Sequence, residues 1–114
     1  MIVTTTERVA GRTTIEVLGV VRGSSVRARP IGKDLSALLT NLVGGEMDEY
    51  TKLLAESREQ ALDRMIEEAR ARGADAIVAM RFMSAEIATG AAEMLAYGTA
   101  VKLGDKYPVT PDTP

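Results

Sequence analysis

The amino-acid sequence predicts an α+β fold in which one long helix lies on a small sheet, in the order β-α-β-β. Three observations carry this prediction. Residues 48 to 72 hold an uninterrupted amphipathic pattern at helical period, closed by Gly73. Stretches of β-branched and apolar residues with turn signals between them precede and follow it. The 114-residue length allows one domain that buries about two thirds of its unfolded surface.

In chain order, residues 2 to 5 read as a short first strand, followed by a turn centred on Gly11. From Thr14 to Val21 β-branched residues dominate, and Ile15, Val17, Gly19 and Val21 share one face at period two, which predicts a second strand. Gly23, Ser24, Ser25 and Pro30 end or bend it. Asp34 caps a short helix with Leu35, Leu38, Leu39 and Leu42 on one side, and Gly44 and Gly45 stop it. The long helix carries Tyr50, Leu53, Leu54, Ala61, Met65, Ile66 and Ala69 as its apolar stripe. Glu67 with Arg70 and Glu68 with Arg72 stand at pairing distance on its outer side. Arginines in the last turn suit the negative end of the helix dipole.

Residues 74 to 83 and 93 to 103 read as two further strands joined through a connection centred on Gly90. Residues 1 to 103 therefore form the domain. Residues 104 to 114, with three prolines and little apolar material, form a flexible C-terminal tail.

Composition excludes several chemistries. The chain has no cysteine and no histidine, which removes disulfides, thiolate and imidazole ligands and every histidine-based acid, base or nucleophile. Ser24 and Ser25 thus lack an activating imidazole, and no catalytic residue or cofactor is expected. Fourteen basic against sixteen acidic residues leave a net charge of -2, with no excess to draw the chain to nucleic acid or anionic lipid. No run approaches the ~18 apolar residues of a membrane span, and the first residues lack a signal-peptide pattern, so a cytoplasmic setting is expected. Arg22, Arg27, Arg29 and Lys33 cluster locally without interleaved aromatics and read as a solvated or subunit-facing strand edge. Gly19 and Gly23 read as bulge or turn glycines. The methionines read as core gap-fillers.

Glu46, Asp48 and Glu49 are the candidate metal ligands. Their spacing misses the ordered oxygen pattern of a calcium loop and suits the start of a helix, where carboxylates accept from free backbone N–H groups and meet the positive dipole end. With Glu56 they are also the hard-oxygen set of an alternative reading, a metal-binding or metal-storage protein.

A single helix covers one face of the sheet. The other, expected to carry Leu18, Val20, Ile77, Met83, Met94, Ala96, Gly98 and Ala100, needs cover from the 34–43 helix or from other copies of the chain. Exposed strand edges lead to the same expectation of association.

The segments "GVVRGSSVRARPIGKD", "VGGEMDEYTKLLAESREQALDRMIEEARARGADAIVAMRF" and "LAYGTAVKL" resemble the YbjQ-like family, which carries a heavy-metal-binding label. The resemblance spans residues 2 to 103. It implies a two-layer fold similar to the dodecin subunit, with extra short strands that help assemble a homopentamer. It implies no catalytic residues. The expected role is a non-enzymatic homo-oligomeric module that binds a small ligand or a protein partner between subunits.

Overall fold

A computed structural model describes the main chain of residues 1–28, 47–88 and 91–107, and the side chains of these except at 28 and 47–51. Its elements are strand β1 (Ile2–Val3), strand β2 (Arg12–Ala28), helix α1 (Met47–Ala71), strand β3 (Ala76–Ala88) and strand β4 (Ala91–Lys106). They make a four-stranded mixed sheet in the order β1-β3-β4-β2, with β1 parallel to β3 and the other two pairs antiparallel. The expected α+β layering is present. The expected 34–43 helix, its stop at Gly44 and Gly45, and the Gly90 turn lie outside the described residues.

Helix α1 starts and ends within a residue of the predicted bounds, because its 3.6-residue pattern runs unbroken for 25 positions. Its end is a Schellman motif. Gly73 takes φ 75°, its N–H donates to Arg70 O at 2.9 Å, and Ala74 N–H donates to Ala69 O at 3.0 Å. Of the two ion pairs expected on its surface, Glu68–Arg72 forms at 2.9 Å, and Glu67–Arg70 is not formed among the described residues.

Strand β2 corrects the expectation that the chain bends at Gly23 to Ser25. It pairs with β4 in unbroken register from Gly19 to Ala28. Gly23 serves helix packing instead. A Cβ there would collide with Ala61 O and Met65 N of α1 and come within 2.7 Å of Arg64 Cβ. The missing side chain lets the helix backbone rest directly on the strand. Ser25, next on that face, is buried; it donates to Gln60 Oε1 at 2.7 Å and accepts from Ser57 Oγ at 3.2 Å. A buried hydroxyl pair is tolerable because both oxygens have partners.

The register shifts of β2 lie nearer its start, between Arg12 and Thr14, Thr14 and Glu16, and Val17 and Gly19. Val17 pairs with Val101 and Gly19 with Ala100, so Leu18 is an extra residue, and Gly19 takes φ 103°. The bulge changes the phase of the strand. Val21 is fully buried beneath α1, while Ile15 and Val17 are about two thirds exposed, so the four residues expected on one face are split.

The main core joins Val21, Ala61, Met65, Ala69, Ile77, Met80, Ala96 and Ala100, with Leu18 and Met94 packed against it. Six of the residues expected on the uncovered face, namely Leu18, Ile77, Met94, Ala96, Gly98 and Ala100, therefore face the helix. Gly98 belongs there because a Cβ would stand 2.7 Å from Ile77 Cγ2. Ala96 and Ala100 pack in the core with Ala61, Met65 and Ala69 of α1, so these small side chains mark the helix and not a second layer. On the opposite face a smaller cluster, Ala76, Val78, Val101 and Leu103, is covered at one end by Val9 of the chain's own N-terminal loop.

Strands β3 and β4 outrun their predicted lengths. Every residue from Arg81 to Ala88 is exposed, including Phe82, Met83 and Ile87, and such a segment offers no burial rhythm to read. Strand β4 continues through Lys106, three residues into the segment read as tail, and Tyr107 N–H then donates to Gly11 O at 2.8 Å.

Candidate functional site

The face turned away from α1 carries a groove of about 580 Å³ assembled from four separated parts of the chain. Val78 and Val101, nearly fully buried, line it together with the exposed Val17 and with Thr13, Thr14 and Thr99; Glu7 and Arg8 come from the N-terminal loop, and Ala79 and Tyr107 complete the lining.

Local hydrogen bonds hold the loop wall. Thr4 N–H donates to Ile77 O at 2.9 Å, Met80 N–H to Thr4 O at 3.1 Å and Ala79 N–H to Thr6 O at 2.7 Å, which extends the β1 pairing along the outer edge of β3. The hydroxyls of Thr4 and Thr6 are 2.8 Å apart, and Thr6 Oγ1 donates to Arg8 O at 2.6 Å. Arg81 Nη1 pins the loop from the other side by donating to Thr5 O at 3.0 Å. Three consecutive threonines thus act as a strap that presents Glu7 and Arg8 to the groove. Arg12 is fixed by an Nε bond to Gly104 O at 2.6 Å.

Ala79 sits where β3 bulges. Val78 pairs with Thr99 and Arg81 with Tyr97, leaving one extra residue on β3, and Ala79 takes φ 53°. An L-residue in this left-handed region costs about 1–2 kcal/mol, and such strain concentrates at functional sites. Nothing in the sequence announces it, since glycine is the usual occupant of such a position.

The predicted metal set is not assembled by described side chains. Glu46 lies outside the described residues, and Asp48 and Glu49 lie in the first turn of α1, where only the backbone is described. Glu56 is exposed one helical turn or more beyond them. Among the described residues no three Asp or Glu side chains converge on a common point. The donor set of the whole chain, without thiolate or imidazole, does not fit a soft heavy metal. Met65 and Met80 are buried in the main core with Met94 packed against it, as core fillers are, and Met83 is exposed. Of the basic cluster only Arg22 and Arg27 are described. Arg22 is exposed, Arg27 is half-buried with an Nε that has no acceptor among the described residues, and Arg29 and Lys33 lie outside them.

The outer edge of β2 is covered by the helix from Leu18 to Ser24, where the expectation was of open strand edges. Arg72 Nη1 donates to Leu18 O at 3.2 Å and Val20 O at 3.0 Å, Arg22 N–H donates to Glu68 Oε2 at 3.2 Å, and Arg64 Nη1 donates to Ser24 O. Side chains of α1 therefore satisfy the backbone groups that another strand would use. On the other side of the sheet, β1 and the threonine strap cover β3 only as far as Met80, and no described strand pairs with its outer edge from Phe82 onward.

These features define a class: a two-layer α+β subunit with one covered face, one partly covered face bearing a groove, and an outer end in which β4 is flanked by β2 and β3. The chain belongs to the YbjQ family, whose model, described as "Putative heavy-metal-binding", matches residues 1–104. It is 53% identical over 105 residues to a UPF0145 protein of Clostridioides difficile (strain 630), covering 92% of this chain and 94% of that one. A UPF0145 protein of Archaeoglobus fulgidus is 55% identical over 103 residues, covering 90% and 95%. Neither name states an activity. Among solved structures, a protein of unknown function of the DUF74 family from Pediococcus pentosaceus ATCC 25745 shares the fold, with a TM-score of 0.62, 18% identity, and coverage of 91% of this chain and 98% of that one. No described helix is long and apolar enough to cross a membrane.

Proposed function

We propose that this protein is a non-enzymatic, homo-oligomeric binding module of the cytoplasm, a pentamer by its family resemblance, that takes up a small ligand or a protein partner between its subunits. One observation carries the reading: the arm from Arg81 to Ala88 is wholly exposed yet presents Phe82, Met83 and Ile87, on a strand edge without a described neighbour. Exposed apolar side chains on an open strand edge are removed from water by another polypeptide more readily than by anything else. Ile15, Val17, Val20 and Val26 of β2 add apolar surface that is more than half exposed. A closed ring would bury such surfaces in every copy and leave no free end.

Size-exclusion chromatography with light scattering tests this reading. The expected result is one oligomeric species at micromolar concentration, which the combined change Phe82→Ser, Met83→Ser and Ile87→Ser converts to monomer with the helical circular dichroism intact. A wild-type monomer, or an oligomer indifferent to the triple change, would refute it.

A further inference from the structure

The groove opposite α1 is built entirely within one chain, so what it binds can be asked independently of assembly. Its chemistry is divided. The apolar lining of Val17, Val78 and Val101 accepts an apolar body, while Arg8 and Arg12 line the same groove with Thr13, Thr14 and Thr99. Arg8 makes no side-chain hydrogen bond among the described residues. Arg12 uses only its Nε there, on Gly104 O at 2.6 Å, which leaves its terminal nitrogens as a donor pair of fixed plane. Such a pair matches the geometry of a carboxylate. Two guanidinium groups against the single carboxylate of Glu7 leave one net positive charge in the lining, complementary to a monoanion. A dianionic phosphate would instead ask for converging backbone N–H groups, and here the lining at Val17, Val78 and Val101 is apolar side chain. The volume, about 580 Å³, lies in the ordinary range for small-molecule sites.

We infer that this groove binds a small organic monocarboxylate, its carboxylate held by Arg8 and Arg12 and its apolar remainder laid over Val17, Val78 and Val101. The strap of Thr4, Thr5 and Thr6 positions Arg8 for this contact, and the bulge at Ala79 shapes the end of the groove.

Isothermal titration of the whole protein with benzoate, benzyl alcohol and inorganic phosphate tests the inference. Benzoate is expected to bind saturably, with benzyl alcohol and phosphate at least about ten-fold weaker, the scale of one lost charge-assisted hydrogen bond. Arg8→Gln, at an exposed side chain, should weaken benzoate about ten-fold. Val17→Asp, which places a like charge in the apolar lining at an exposed position, should abolish binding. Absence of saturable benzoate binding, equal affinity for benzyl alcohol or phosphate, or wild-type affinity in either variant would overturn it. Light scattering on the same samples separates this inference from the assembly reading. A monomer that binds benzoate sinks only the ring, and an oligomer that does not bind sinks only the carboxylate site.

Discussion

Replacing Gly23 by alanine should be among the most damaging single-methyl additions available in this fold. The added Cβ would overlap Ala61 O and Met65 N and stand 2.7 Å from Arg64 Cβ, and none of these three belongs to a flexible side-chain end. Ordinary carbon contacts lie near 3.5–4.0 Å, so α1 must move off β2 by roughly 1 Å. A gap of that size forfeits about a quarter to a half of the dispersion energy of the atoms that faced each other. Those atoms belong to Val21, Ala61, Met65 and Ala69, all fully buried. Overpacking of this kind costs about 1–3 kcal/mol, and the loosened contacts place the change at the upper end. Alanine's smaller unfolded-state entropy returns about 0.4–1 kcal/mol, leaving a net loss of roughly 2–3 kcal/mol. With an unfolding entropy near 2.1 cal/mol/K per residue, that loss lowers Tm by about 10 °C. Thermal and urea unfolding followed by circular dichroism, at one fixed protein concentration, measures it. Gly104→Ala is the control: its nearest neighbour would be Ile15 Cγ2 at 3.1 Å, the tip of an exposed side chain that can rotate away. A Gly23→Ala protein within about 1 kcal/mol of wild type would refute close helix-on-strand packing as the role of this glycine.

Three further outcomes are expected. Ala79→Gly should stabilise the fold by about 0.5–1 kcal/mol in urea unfolding, because glycine occupies φ 53° without the clash that alanine bears, less its greater unfolded-state entropy. Arg72→Ala should cost about 1 kcal/mol, modest because the side chain is 40% exposed, and should raise thioflavin-positive aggregation by baring Leu18 O and Val20 O; Arg72→Lys should not restore protection, since an ammonium lacks the fork that spans two carbonyls and Glu68. Calorimetric titration with cadmium or zinc after chelator treatment should show no stoichiometric uptake, the chain having neither thiolate nor imidazole, and a tight one-to-one isotherm lost in Glu46→Ala or Asp48→Ala would defeat that expectation.

Legibility from sequence followed burial rhythm. Helix α1 was readable to within a residue because its apolar stripe and Gly73 agree with each other. The outer ends of β3 and β4 were shortened because Arg81 to Ala88 are all exposed and Ala91 to Leu95 all half-buried, so neither alternates. The sheet faces were misassigned for two physical reasons: the extra Leu18 shifts the alternation midway along β2, and the small residues of β4 are set by the core, Ala96 and Ala100 packing in the cluster with α1 and Gly98 lying against Ile77, Val78 and Met80 of β3. The groove was invisible since its lining comes from residues 7 to 17, 78 to 79, 99 to 101 and 107, which only the sheet order brings together. Ala79 gave no warning, as its conformation is imposed by the threonine strap and not by its own chemistry.

The clasp of Glu68, Arg72 and Arg64 on β2 makes the sheet one-sided. An incoming strand would first have to strip three charged groups from Leu18 to Ser24, whereas the margin beyond Met80 has no strand neighbour among the described residues. Open-ended growth of the sheet is consequently blocked along Leu18 to Ser24, and the runaway ribbons to which bare sheets are prone lose one of the two margins they need.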